Sequence, residues 1–221
     1  MQGIRWNGAP INLIPTEIRQ AYEPLAWDVC QLHRKWGIFC RLFASGENIV
    51  ELLNRSAAGF FRTYYDLLAD DILLSISRLI DPKQTLGKNN LTLERLVHSI
   101  DSTKYTKLKR KIERRFSDAR DKCAFTKDQR NKRIAHSDLS TKLEVNLLPS
   151  PTKTNIEEAL ESIRGVMNVV ELYFFPPAYS QDVNIAFVDY LNLTRDVDGT
   201  RIITRLREAE SYENQLNSKI G

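Results

Sequence analysis

Apolar residues recur at intervals of three and four along most of this chain, a spacing that places side chains on one face of an α-helix. The first run extends from Thr16 to about Ala44, and Pro24 inside it predicts a kink or a later start. A second run from about Glu47 to Ile80 predicts another long helix, which Asp81-Pro82 should end. Its expected inward stripe is Ile49, Leu53, Ala57, Phe60, Tyr64, Leu67, Leu74 and Leu79.

The middle of the chain predicts shorter elements. Residues 82–90 hold Pro, Gly and an Asn pair, so they predict a polar loop, and a short helix should follow from about Thr92 to Ile100. Asp101 or Ser102 is expected to cap the next helix, which runs to about Lys127 or beyond. The buried stripe expected for that helix is Leu108, Ile112, Phe116, Ala119 and Cys123.

The last third of the chain opens on a break at Pro149-Ser150-Pro151. Thr154-Asn155-Ile156-Glu157 has the form of a capping box and predicts a helix that ends at Pro176-Pro177. The residues expected to face inward on it are Ala159, Leu160, Ile163, Met167, Val170 and Tyr173. Beyond it, the alternation of Val183, Ile185 and Phe187 indicates a strand, and Arg201 to about Leu216 predicts a surface helix.

Together these elements predict an all-α protein, an up-and-down bundle of four to five helices with a small C-terminal extension. The expected organisation is an irregular lead over residues 1–14, the bundle over residues 15–178 and the extension over residues 179–221.

Composition narrows the class of protein. The chain has 221 residues, of which 42% are hydrophobic, as in ordinary globular proteins. Its three cysteines show no CxxC spacing, so we expect neither a disulfide framework nor a zinc site. No run reaches the ~20 apolar residues of a membrane span, and no secretory pattern opens the chain. We therefore expect a soluble, cytoplasmic protein with no metal or other cofactor and no membrane partner.

The charge is concentrated in one segment. The net charge is +4, yet residues 104–133 hold thirteen Lys or Arg and four acidic residues, which makes this segment +9 and the remainder −5. Such asymmetry indicates an anionic partner for one element.

A polar motif at the end of the basic segment carries the candidate chemistry. Metal-independent cleavage of RNA needs a base for the 2′-hydroxyl, a cation for the charge that develops on phosphorus and an acid for the leaving 5′-oxygen. Arg130 can supply the cation, His136 can supply one proton transfer, and Asn131 can orient the phosphate or the imidazole. The candidate ligands of RNA phosphates are Lys127, Lys132 and Arg133.

The spacing of this motif constrains the site. In a straight helix Arg130 and His136, six residues apart, are separated by roughly 120°, whereas Arg133 and His136 are neighbours on one face. Arg130 and His136 can share a pocket if the helix bends or if a second subunit completes the site, and a two-fold dimer would bring two motifs together.

Simpler interpretations exist for the same residues. Residues 130–136 can be a solvated basic helix end, which the helix dipole favours, and His33 and His98 are expected to be structural or at the surface. An aromatic group in the second helix is expected to lie in the core rather than to stack against nucleic-acid bases. It comprises Phe60, Phe61, Tyr64 and Tyr65.

Acidic residues near the end of the second helix allow two interpretations. The cluster of Asp66, Asp70, Asp71 and Asp81 can hold a divalent metal, but ion pairs with the basic helix are favoured. Arg78 lies within an apolar run, where a buried guanidinium needs a partner such as Asp81.

Three blocks of sequence resemble a known family. They are Asp70-Asp71-Ile72-Leu73-Leu74-Ser75-Ile76-Ser77-Arg78-Leu79-Ile80-Asp81-Pro82, Asn90-Leu91-Thr92-Leu93-Glu94-Arg95-Leu96 and Arg130-Asn131-Lys132-Arg133-Ile134-Ala135-His136-Ser137-Asp138. In this order, over about residues 15–175, they resemble the AbiU-type abortive-infection branch of the HEPN superfamily. The resemblance implies a homodimer whose two Arg/His motifs line a shared cleft, with Arg130, Asn131 and His136 in the catalytic positions.

Two functions remain open at this level. One is a metal-independent endoribonuclease of a phage-defence or toxin–antitoxin type, with RNA as substrate and an antitoxin protein as a possible partner. The other is a non-catalytic helical dimer that binds RNA, a nucleotide or a protein through the same basic cleft, since family membership does not by itself establish activity.

Overall fold

The computed structural model describes residues 11–131, 151–175 and 197–220. The strand predicted around Val183, Ile185 and Phe187 lies outside the described residues, as do residues 132–138 of the motif, which include Lys132, Arg133 and His136. Within the described ranges, no helix combines the length and the apolar character that crossing a membrane would require.

The secondary structure is almost entirely helical. A short 3-10 helix, Ile11–Leu13, precedes α1 (Thr16–Phe43) and α2 (Glu47–Leu79). A hairpin of β1 (Gln84–Thr85) and β2 (Lys88–Asn89) leads to α3 (Leu93–Ser99), α4 (Thr106–Cys123) and α5 (Phe125–Gln129). The remaining helices are α6 (Lys153–Phe174) and α7 (Val197–Ile220). The part of the chain that is described thus has seven α-helices and one small antiparallel sheet, which confirms the all-α prediction.

Both long helices form close to their predicted ends, but α2 is not a regular helix. α1 begins at Thr16 and continues through Pro24, so the later start did not occur. In α2, Ala57 has a non-helical backbone (φ −164°, ψ 70°) that divides the helix into two segments. The divided helix no longer follows one stripe, and Phe60 and Leu67 are 65% and 64% exposed. The residues of α2 that are buried instead include Leu52, Phe61, Leu68, Ile72 and Ile76.

The chain forms two compact units, and α1 and α2 each contribute a segment to both. The first unit contains residues 11–32, 73–131 and 151–175 among those described. Within it α4 packs along α6, and α3 packs against α4. Its core includes Tyr22, Leu25, Ile76, Leu96, Ile112, Ile163 and Met167.

The second unit contains residues 33–72 and 197–220 among those described. Its core is formed by Leu42, Ile49, Leu52, Leu53, Phe61 and Ile203. Ion pairs tie α7 to α1 and α2 here, from Arg34 to Asp198 at 2.8 Å and from Arg55 to Glu210 at 2.7 Å. The predicted surface helix over Arg201–Leu216 is therefore longer than expected, and its Ile203 side helps to build a core.

Two helix starts differ from the prediction. The capping box of α6 is made by Thr152 and Asn155, because Thr152 accepts from the Asn155 amide while the Asn155 side chain accepts from the Thr152 amide. The box predicted at Thr154 was therefore two residues late. Asp101 caps the turn before α4, since its carboxylate accepts from the amides of Thr103 and Lys104 rather than from α4 itself.

Inside the first unit, a buried carboxyl group lies between α1 and α6. Glu171 is 2% exposed and accepts a hydrogen bond from the hydroxyl of Tyr22, which is fully buried. Burial disfavours the charged form and raises the pKa of Glu171 to about 9, although the Tyr22 hydrogen bond opposes this shift. Glu171 is therefore protonated at neutral pH.

This carboxyl group predicts a stability that falls as pH rises. The unfolded chain loses the Glu171 proton near its usual value of 4.5, whereas the folded chain keeps it to about pH 9. Between these values the folded state binds more protons, so the free energy of unfolding should decrease by up to about 1.4 kcal/mol per pH unit. Urea unfolding of Glu171→Gln should show a weaker pH dependence from pH 6 to 8, whereas exposed Glu158→Gln should follow the wild type. Parallel profiles for Glu171→Gln and the wild type would contradict the assignment.

Candidate functional site

The backbone that leads to Arg130 is not one straight helix. α4 ends at Cys123, and at Ala124 the bonding changes to a tighter pattern in which the Ala124 amide donates to the Asp121 carbonyl. α5 then gives way to a wider π-helical turn at Arg130 and Asn131. The single helix predicted to pass Lys127 is thus divided, and angles based on a straight α-helix do not apply at Arg130 and Asn131.

α5 is held by its buried polar side chains. Thr126 is fully buried, and its hydroxyl donates to the carbonyl of Cys123 at 2.8 Å. Gln129 is 3% exposed. These residues lie on the buried side of a five-residue helix that is too short to be stable by itself. Burial of this side positions the residues that lead to Arg130.

Arg130 makes an ion pair with Asp81, which lies just after the end of α2. Its Nη1 atom donates to both carboxylate oxygens of Asp81, at 2.6 Å and 2.7 Å. The two side chains are 23% and 31% exposed, so the pair is partly shielded from water. A charge-assisted contact of this kind is stronger than one at the open surface. It fixes the guanidinium relative to α2, although the two residues are 49 positions apart.

Asn131 is directed toward Arg130. Its Oδ1 atom accepts from Arg130 Nε at 3.2 Å. Asp81 and Asn131 together engage two of the three guanidinium nitrogens, so the plane of the group is set by two neighbours. We expected Asn131 to orient a phosphate or an imidazole, and in the structure it orients the guanidinium.

The acidic cluster has separate partners rather than one. Asp81 pairs with Arg130, as expected for an ion pair with the basic segment, but Asp71 pairs with Lys35 at 2.6 Å and Asp66 with Arg62 at 3.4 Å. Among the residues that the structure describes, no group of three or more His, Cys, Asp or Glu is arranged to hold a metal.

The burial predictions for two sets of side chains were wrong. Arg78 is exposed, because the turns of α2 place it on the solvent side between buried Ser77 and Leu79. In the aromatic group Phe61 is buried, but Phe60 and Tyr65 are 65% and 39% exposed.

The sequence block after Asp81 builds the hairpin and its junction with α3. Arg95 donates to the carbonyls of Asn90 and Lys83 and to Oδ1 of Asn89, at 2.8, 3.0 and 2.7 Å. Glu94 accepts from the Lys83 amide at 2.6 Å, and Thr92 caps α3 by accepting from the Arg95 amide. The hairpin turns at Leu86 and Gly87, both with positive φ (48° and 78°). Glycine tolerates this conformation well, whereas leucine rarely adopts it.

Cations cover the outer face of α4 and continue onto α5. The exposed basic residues there are Lys107, Arg110, Lys111, Arg114, Arg115, Arg120, Lys122 and Lys127. The buried stripe opposite them follows the prediction at Leu108, Ile112, Ala119 and Cys123. The basic charge is therefore displayed to solvent, as binding of a polyanion requires.

The described histidines differ in environment. His33 is 6% exposed, as a structural residue would be. His98 is exposed, and its Nδ1 atom lies 2.9 Å from the carbonyl of Glu94. Because a carbonyl oxygen can only accept, Nδ1 must be the donor, which leaves Nε2 as the acceptor of the neutral ring. His136 lies outside the described residues.

The described part of the chain is almost entirely helical, and its basic segment carries an Arg-Asn pair at residues 130 and 131. The family model described as AbiU2 (HEPN_AbiU2) matches residues 16–180, about three quarters of the chain. This chain belongs to that family, an abortive-infection branch of HEPN proteins. Searches of curated proteins and of solved structures returned no significant match.

The Asp81–Arg130 pair should contribute measurably to the stability of the first unit. A double-mutant cycle with Asp81→Asn and Arg130→Gln should give a coupling energy of about 1–2 kcal/mol, between the values of exposed and buried pairs. Urea unfolding of the four proteins measures it. The exposed pair Lys122 and Asp118 provides the matched control, with a coupling expected close to zero. Equal coupling in the two cycles would show that the Asp81 contact does not order Arg130.

Proposed function

We propose that this protein is a metal-independent endoribonuclease of a phage-defence or toxin–antitoxin type. The proposal rests on membership of the AbiU2 family together with one observation: a partly buried arginine is fixed by two neighbours at the end of a basic helical segment. A fixed guanidinium can stabilise the charge of a phosphorane without first having to be ordered.

Each residue of the motif has a separate role in the proposed cleavage of RNA. Arg130 stabilises the negative charge on the non-bridging oxygens as the 2′-hydroxyl attacks phosphorus. His136 moves a proton, either from the 2′-hydroxyl or to the 5′-oxygen that leaves. Asn131 and Asp81 are positioning residues, since they hold the guanidinium. Lys127, Lys132 and Arg133 hold the flanking phosphates, which makes RNA affinity decrease with salt.

The cleft is proposed to be shared by two subunits of a homodimer. In this arrangement one subunit supplies Arg130 and its partner supplies His136 to each of two sites. Two-fold symmetry would place a second copy of every residue across the cleft. An antitoxin protein that covers this basic surface would be a further partner.

The alternative function is a non-catalytic dimer that binds RNA, a nucleotide or a protein. One observation favours it: the Asp81 carboxylate neutralises much of the charge of Arg130, and a neutralised guanidinium stabilises a phosphorane less well. The two functions differ in the products they leave.

The ribonuclease proposal predicts a defined product. Attack by the 2′-hydroxyl leaves a 2′,3′-cyclic phosphate and a 5′-hydroxyl, so cleavage of single-stranded RNA should give these ends and should persist in EDTA. His136→Ala should slow cleavage by about 10²–10⁴-fold, because it removes a proton-transfer group, while RNA affinity stays nearly unchanged. Product ends are identified by mass spectrometry, and rates come from a labelled oligonucleotide.

Arg207→Ala provides the control, since it removes an exposed cation from α7 in the second unit. Its cleavage rate should equal that of the wild type. RNA binding without cleavage, equal in the wild type and in His136→Ala, would overturn the ribonuclease proposal in favour of the binding function. The same comparison applies in a bacterial host, where only the wild type should arrest growth.

The shared cleft predicts complementation between two inactive proteins. If one subunit supplies Arg130 and its partner supplies His136, a mixed dimer of Arg130→Ala and His136→Ala chains contains one intact site. An equimolar mixture, after exchange of subunits, should recover about a quarter of wild-type activity, since half of the dimers are mixed and each has one of two sites. Recovery is measured with the same oligonucleotide. No recovery, with mixed dimers confirmed by native mass spectrometry, would place Arg130 and His136 of each site in one chain.

A further inference from the structure

A cavity in the first unit lies apart from the contacts of Arg130. It has a volume of about 430 Å³ and opens to solvent between the start of α1, the hairpin and α3. The residues that line it include Glu17, Gln20, Lys83, Leu91, Arg95 and His98. The volume is within the usual range for small-molecule sites, which is about 300–1,000 Å³.

Positive charge dominates the lining. Arg95 donates through Nε and Nη2 to two carbonyls and one amide oxygen, all of them neutral, so three of its five N–H groups are used and its charge is not cancelled. Among the described residues, no carboxylate forms an ion pair with the Arg95 guanidinium or the Lys83 ammonium, and the Glu94 carboxylate accepts from the backbone amide of Lys83 instead. Glu17 is the acidic residue of the lining, and it lies 3.6 Å from Lys104. A phosphate group in the cavity would thus meet a net positive field.

Lys83 is fixed through its backbone rather than through its side chain. Its amide donates to Glu94 at 2.6 Å, and its carbonyl accepts from Asn90 and from Arg95 at 2.8 and 3.0 Å. Asn90, just after β2, and two residues of α3 therefore hold the backbone of Lys83, and the ammonium group takes no part in these bonds. This separation of roles allows the charge to be removed without loss of the hairpin.

His98 and the amides add a different kind of recognition. With Nδ1 donating to the Glu94 carbonyl, Nε2 of the neutral ring is an acceptor and suits a hydroxyl donor such as that of a ribose. Gln20 and Asn89 offer amide donors and acceptors, and Leu91 offers an apolar surface. Cations, a hydroxyl acceptor, amides and an apolar contact together match a phosphate attached to a sugar and a base.

We propose that this cavity binds a ribonucleotide, with the phosphate at Lys83 and Arg95 and a ribose hydroxyl at His98. The ribonucleotide is either a free mononucleotide or one nucleotide of a bound RNA strand. This inference does not depend on catalysis by Arg130 and His136, because different residues form the cavity.

The test uses the full-length His136→Ala protein, so that an RNA probe is not consumed. The probes are 5′-AMP, 5′-UMP, their 2′-deoxy analogues and a twelve-nucleotide single-stranded RNA, titrated at low salt by calorimetry or fluorescence anisotropy. Lys83→Ala should weaken binding about fivefold, as the loss of one partly exposed charged contact does. Lys88→Ala, on the same hairpin but outside the lining, should change it less than twofold.

Glu17→Gln gives a test of the opposite sign. Removal of this carboxylate should tighten binding about two- to threefold, because a repulsion is lost, and a variant that merely damages the fold would not bind more tightly. The 2′-deoxy probes should bind more weakly than the ribose forms. Circular dichroism establishes that each variant is folded.

The two sources of the nucleotide give different results. If the nucleotide belongs to an RNA strand, Lys83→Ala weakens binding of the oligonucleotide, and AMP or UMP competes with the oligonucleotide for the cavity. If the nucleotide is a free mononucleotide, Lys83→Ala weakens binding of AMP or UMP, while binding of the oligonucleotide is unchanged. Equal effects of Lys83→Ala and Lys88→Ala, or no binding of any probe, would overturn the proposal. Since cleavage is measured separately with His136 intact, these outcomes leave the ribonuclease proposal unaffected.

Discussion

The ion pair between Arg130 and Asp81 connects the two parts of the chain on which the candidate chemistry depends. Arg130 lies near the end of the basic segment, and Asp81 lies just after the end of α2, so a single contact with N–O distances of 2.6 and 2.7 Å fixes the position of the guanidinium. The partial burial of both side chains makes this contact stronger than a surface pair, and Asn131 sets the remaining orientation. The same contact reduces the net charge that a phosphate would meet there. Placement of the arginine and electrostatic stabilisation by it therefore oppose one another at this site.

The segment after Asp81 shows how local hydrogen bonds organise a region without a large core. Arg95 and Glu94 hold the carbonyl and the amide of Lys83, and Asn90 donates to Pro82 and Thr85 at 2.8 Å. The hairpin has two residues in each strand, which is too little to be stable alone, and these side chains supply the missing contacts. A sequence block that resembles the family thus has a structural role in this chain, next to its proposed ligand site.

Helical periodicity predicted most of the fold, because long amphipathic helices carry a strong and redundant signal. The starts of α1 and α2 follow the spacing of their apolar residues. So do the buried stripes of α4 and α6, except that Phe116 is half-buried and Tyr173 is 46% exposed. The kink at Ala57 was not predicted, although Gly59 lies two residues after it, and the predicted burial of Phe60 and Leu67 was wrong as a result. The hairpin was predicted as a loop because its strands are too short to show an alternating pattern. At the candidate site, Arg130 and Asn131 were recognised by their motif, whereas Asp81 was expected to pair with Arg78 or with the basic helix, and its contact with Arg130 in particular was not predicted. Such long-range pairing depends on how helices pack, which spacing along the chain does not encode.

The buried carboxyl of Glu171 makes folding a reaction that consumes hydrogen ions. An unfolded chain in neutral solution carries this group ionised, whereas the folded chain carries it with its hydrogen, because desolvation raises the pKa to about 9. Each molecule that folds near neutrality must therefore take up close to one hydrogen ion at this position from water or buffer. The heat of refolding will accordingly include the ionisation enthalpy of the buffer. Calorimetric enthalpies obtained in phosphate and in Tris will therefore differ by about the difference between the ionisation enthalpies of these two buffers.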